Sequence, residues 1–129
     1  MIGNTTVFSD QAREAFAQVG HAAMQHSFGT VLLKGIFGGW LIALMVWLLP
    51  AADMAKVSII VILTYLVGLG ELSHIIAGSA ETFYLVGTSQ MSFGTYLVSY
   101  MIPTLLGNII GGVSIAAALN HAQVVAGET

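Results

Sequence analysis

Histidine is the residue in this chain best suited to moving a proton near neutral pH. There are four: His21, His26, His74 and His121. His74 stands apart, because apolar runs flank it on both sides and Gly68, Gly70, Glu71 and Ser73 precede it closely. An ionisable group deep in an apolar medium costs at least a few kcal/mol unless it is paired or hydrated. Two readings follow. His74 is either a packed, hydrogen-bonded structural residue, or a proton donor and anion partner within a permeation path. Glu71, three residues earlier, would share its face on a continuous helix. The glycines leave that open, and a helix-end carboxylate facing a vestibule is the other reading. Asn108 sits between Gly107 and Ile109 in a second long apolar run. It either lines a polar path or ties helices together.

Other chemistries lack their residues. The histidines have no HExxH spacing, and neither GxGxxG nor GxxxxGK[ST] occurs. No nucleophile elbow is present. With no cysteine there is no disulfide framework and no Cys-ligated metal. The chain is therefore expected to be no enzyme and to need no cofactor or metal. Three Lys+Arg against six Asp+Glu exclude a nucleic-acid binder built on phosphate contacts.

The elements that must position His74 are membrane helices. The chain is 57% hydrophobic and only 7% charged, against about 25% charged in a soluble domain. Residues 1–29 form an amphipathic segment, with Phe8, Ala12, Ala15, Val19 and Ala22 on one face and Ser9 or Asp10 as the cap. Whether it lies on the bilayer or folds over a bundle stays open. Met1–Gln11 lacks the basic start and apolar run of a cleaved signal.

Residues 30–120 read as a three-helix membrane domain. The first span runs from Gly35 to Ala52, about 27 Å, and extends back through Leu33 and Val31. Lys34 can snorkel to the interface, and Pro50 ends the helix ahead of a short turn. The apolar run Val57–Gly70 gives only about 21 Å, short of a hydrocarbon core of about 30 Å. Joining it to Ile75–Ala80 makes one crossing, broken where Gly68, Gly70, Glu71, Ser73 and His74 lie at depth. Irregular backbone is tolerated there only where protein or water covers it. The third span is Tyr96–Leu119, with Tyr96 and Tyr100 at an interface and a kink at Pro103, which frees the carbonyl of Ser99. Residues 121–129 are a short tail, mobile from about Asn120. Three spans place the two ends of the chain on opposite sides.

Small residues recur four apart. Gly35 and Gly39 form one such pair. Gly107 and Gly111 form another, with Gly112 beside it and Ser114 and Ala118 continuing the stripe. They suit close helix packing in lipid, or a pore wall of exposed glycine backbone.

Three stretches together resemble the second half of the formate/nitrite transporter family. KGIFGGWLIALMVW (34–47) is similar to its fourth membrane helix, and GLGELSHIIAGSAETFYLV (68–86) to its broken fifth helix. YMIPTLLGNIIGG (100–112) matches the Pro-x-x-x-Gly-Asn-x-x-Gly-Gly pattern of its sixth. The resemblance implies an all-α, multi-pass inner-membrane protein, one of two inverted three-helix halves of a channel whose members assemble as pentamers. It implies passage of a small monovalent anion or its weak acid, with protonation near the histidine and then transit of apolar constrictions. His74 takes the central-histidine role. Asn108, Pro103 and the neighbouring glycines take the sixth-helix role. Ser73 stands where the family commonly has Glu, with Glu71 two residues away, and Gly39 stands where an Asn is frequent. The expected path residues are thus His74, Ser73, Glu71, Asn108 and Gly39. Partners are expected to be the bilayer, the anion, and further copies of the chain or a complementary half replacing the first three helices. The rival expectation is a non-conducting, truncated membrane subunit that acts only by helix packing.

Overall fold

The computed structural model describes residues 7–127, and every element among them is helical. The first six residues of the amphipathic segment and the last two of the tail lie outside the described residues. In order, the elements are α1 (Asp10–Ala23), α2 (Phe28–Leu48), α3 (Lys56–Leu69), α4 (Ile75–Gly87), the short α5 (Phe93–Tyr96) and α6 (Ile102–Gly127). Two stretches, Phe28–Ala51 and Phe93–Gly127, are long and apolar enough to cross a membrane.

Serine sets three of the starts, those of α1, α2 and α5. Ser9 Oγ accepts from the Ala12 amide at 3.2 Å and so takes the cap of α1, leaving Asp10 in the first turn. Ser27 Oγ accepts from the Thr30 amide at 3.4 Å and starts α2 at Phe28. The first apolar helix thus begins before Gly35, because a capped serine, not Lys34, decides where it starts. Pro50 sits in a 3-10 turn, Leu49–Ala51, that closes α2.

The segment before Pro103 takes a form other than a simple kink. Proline has no amide hydrogen to offer the carbonyl of Ser99. The chain answers with a π-helical turn over Leu97–Met101, in which the Ile102 amide reaches back to Leu97 O. Past this turn α6 continues to Gly127, beyond the expected end near Leu119. No Gly or Pro interrupts residues 113–126, and alanine-rich sequence favours continuation.

Helices α2 and α6 pack with their backbones nearly touching. A Cβ at Gly35 would lie 3.1 Å from Thr104 O, one at Gly39 2.6 Å from Asn108 O, and one at Gly107 2.5 Å from Leu32 O. One at Gly111 would collide with Ile36 O. Gly112 is looser, with Ala43 Cβ at 3.9 Å. Trp40 Nε1 closes the row by donating to Ser114 Oγ at 2.7 Å. Contacts advance together along both helices, so α2 and α6 run parallel. Small residues permit this approach, and dispersion at short range holds it.

Helix α1 lies against α4. A Cβ at Gly20 would sit 2.9 Å from both Glu81 O and Leu85 Cγ. Phe16 meets Tyr84 edge-on at 5.5 Å between ring centres, and His21 Nε2 bonds Gln90 Oε1 at 3.0 Å. The amphipathic start therefore folds over the bundle. Tyr96 and Tyr100, expected at an interface, are buried with Val31 instead. Tyr96 finds Ser79 Oγ at 2.9 Å, and Tyr100 reaches toward His74 O. A buried tyrosine keeps its ring dry when its hydroxyl has a partner.

Candidate functional site

Helix α3 unwinds over its last residues. The Gly70 and Glu71 amides reach back to Leu66 O and Gly68 O, each at 3.0 Å, and the Leu72 amide to Val67 O at 2.9 Å. Glu71 then takes a left-handed backbone, φ 47°. His74 is extended, φ −125° and ψ 130°, and forms the N-cap of α4 without a capping side chain. Such a junction leaves backbone donors and acceptors that must be satisfied.

Asn108, from α6, supplies the missing partners. Its Oδ1 accepts from the Ile75 amide at 2.9 Å. Its Nδ2 donates to Ser73 O at 3.0 Å and to Gly35 O at 2.9 Å. The partners dictate the amide's orientation, since one is a donor and two are carbonyls. One side chain thus takes the place of a helix cap and fastens the junction to α2. Gly38 makes room for it, because a Cβ there would lie 2.5 Å from Ser73 O. The His74 carbonyl is bound by the Gly78 amide at 2.9 Å and by the Tyr100 hydroxyl at 3.5 Å. Gly78 lets the Tyr100 ring in, since any Cβ would overlap that hydroxyl.

Beside the junction lies a cavity of about 630 Å³, lined by His74, Ser73, Glu71, Lys34, His26 and Glu81 among others. The structure therefore brings three of the expected path residues, His74, Ser73 and Glu71, to one cavity. Neither Asn108 nor Gly39 is among the lining residues: the Asn108 side chain is turned to the junction's backbone, and Gly39 packs against Asn108 O on α6. Ser73 is buried, whereas the Glu71 side chain is largely exposed and pairs with Lys34 at 3.2 Å. Lys34 also bonds His26 Nε2 at 2.8 Å.

Sequence reasoning missed His26, Gly38, Gly78 and the partners of Lys34, and did not foresee that Tyr100 is buried. Gly38 adjoins Gly39 and carried a signal of sorts. Nothing local pairs Lys34 with a residue 37 positions away.

The family model for formate/nitrite transporters matches residues 1–122. The inner membrane protein YfdC of Escherichia coli (strain K12) is 39% identical over 118 residues, which cover 92% of this chain but 38% of that protein. The chain thus spans well under half the length of this curated relative. No solved structure matches the chain.

Proposed function

The chain belongs to the formate/nitrite transporter family, and from that premise we propose that it forms part of a path for a small monovalent anion, or its weak acid, across the inner membrane. The observation that carries this reading is the non-helical junction that sets His74 on a cavity while a side chain from another helix satisfies its backbone.

Topology supports placing that junction at depth. Helices α2 and α6 are parallel neighbours, so if both cross, the chain between them must return once. Neither α3 nor α4 is long enough alone, at about 21 and 20 Å against a core of about 30 Å. Together they make a third span, broken at Gly70–His74, with polar backbone covered by Asn108 and the cavity as such a break requires. In the path, Ser73 and His74 meet the anion. His74 lends a proton, so the species crossing the apolar stretches carries little charge.

Three helices build one wall of such a path. Large apolar side chains on α3, including Val57, Val61 and Ile62, face outward, and a complementary three-helix unit completes the pore. That unit is of inverted topology, since inverted halves place their site at the shared midplane. The same close glycine packing also suits a subunit that only packs against partners, and one assay separates the two. In liposomes the protein should pass formate or nitrite, with a pH dependence that His74→Ala alters. Normal insertion with no flux of several monovalent anions would establish the packing subunit instead.

A further inference from the structure

Between α1 and α4 lies a second cavity, of about 390 Å³, lined by Phe8, Phe16, Val19, Ala80, Glu81 and Tyr84. Its aromatic rings have no part in the anion path. Phe8 meets Phe16 at 5.4 Å between ring centres with the planes 88° apart, and Phe16 meets Tyr84 at 5.5 Å and 64°. Rings set at such angles can turn their faces to one volume from different sides. Packing leaves much of them uncovered, since Phe8 is 42% and Phe16 40% exposed.

One carboxylate stands against these rings. The ion pairs among the described residues join Arg13 to Asp10 and Lys34 to Glu71, and none of them engages Glu81. Gly20 creates the juxtaposition. A Cβ there would lie 2.9 Å from Glu81 O, so its absence lets α1 bring its phenylalanines beside this turn of α4.

The lining selects a cation of low hydration. The face of an aromatic ring attracts positive charge, and the carboxylate adds to that attraction. An anion would meet repulsion from both. A primary ammonium brings three N–H donors, and Glu81 is the one carboxylate in a lining that is otherwise apolar side chains and a phenol. Donors left unpaired there are costly. A fully methylated ammonium has none, and its methyl groups suit Val19 and Ala80.

We propose that the cavity between α1 and α4 is a binding site for a small quaternary ammonium compound, held by the rings of Phe8, Phe16 and Tyr84 and by the Glu81 carboxylate. Val19 and Glu81 also line the cavity of His74, so the bound cation neutralises a carboxylate that the two cavities share. The site stands apart from the anion path and does not depend on it.

Binding tests this without any flux. The full chain in dodecyl maltoside, without added lipid, is titrated with tetramethylammonium chloride at pH 7.5 and constant ionic strength. The bound fraction is read from saturation-transfer NMR of the methyl protons. Saturable binding is expected, and Glu81→Gln should weaken it roughly fivefold. Phe16→Leu should weaken it about threefold, and Phe16→Tyr should restore it, which separates a lost ring face from a lost fold. Methylammonium should bind at least about threefold more weakly than tetramethylammonium. No saturable binding, parental affinity in Glu81→Gln or in Phe16→Leu, or equal affinity for the two ammonium ions overturns the proposal. Glu81-dependent retention of dioleoylphosphatidylcholine with no binding of tetramethylammonium would assign the site to a lipid headgroup and overturn it as well.

Discussion

The seam between α2 and α6 and the junction between α3 and α4 solve the same problem in opposite ways. At the seam, glycines remove side chains so that two helices touch backbone to backbone. At the junction the helix stops, and the exposed main chain is handed to one asparagine. The seam is distributed over many close approaches. The junction depends on few groups and borders a cavity. A rigid wall and an adjustable polar site thus share Gly35, whose carbonyl serves Asn108 while its α-carbon packs against Gly107.

Substitutions can break that contrast in graded steps. The largest effect is expected at the seam. Gly111→Leu drives a side chain into Ile36 O and should cost about 3 kcal/mol or prevent folding, seen as a lowered melting temperature in detergent. Asn108→Leu comes next. It strips partners from Gly35 O, Ser73 O and the Ile75 amide, about 1 kcal/mol each. Hydrogen exchange should accelerate at Ile75 and its neighbours while residues 104–112 of α6 stay protected. Equal loss of protection along α2 and α6 would show that junction and seam are one unit. Tyr100→Phe removes a long bond to His74 O and should cost about 0.5 kcal/mol, with its change confined to the start of α4. Smallest is Glu71→Gln, which breaks an exposed pair and should shift stability by less than about 0.5 kcal/mol, measured by the same melting.

The same contrast explains what could be read from the residues alone. Gly35, Gly39, Gly107 and Gly111 repeat at helical spacing, so a local pattern carries the possibility of close packing. The polar run after Gly68 and Gly70 stands out in the same way, and the chain does leave helical geometry there. Which groups close the junction was not legible. Asn108 lies 33 residues from its partner Ile75, and that partner is main chain, which has no sequence identity. Lys34 looked like a snorkelling end residue because its partner Glu71 comes close only through the fold. Tyr96 and Tyr100 resembled interfacial aromatics, since burial depends on Ser79 and Gly78 opposite them. The start of α2 at Phe28 falls within the amphipathic segment expected over residues 1–29, because Ser27 caps a new helix there.

The chain has no cysteine, so single-cysteine variants report position without background. The most direct test places a thiol at the junction, as His74→Cys, and follows its reaction with a water-soluble methanethiosulfonate in liposomes, with spin-label depth measured on the same variant. The account predicts a label near the bilayer centre that nevertheless reacts, more slowly than Ser92→Cys in the loop before α5. A thiol as reactive as that loop position and shallow in depth, or one that never reacts, would contradict it.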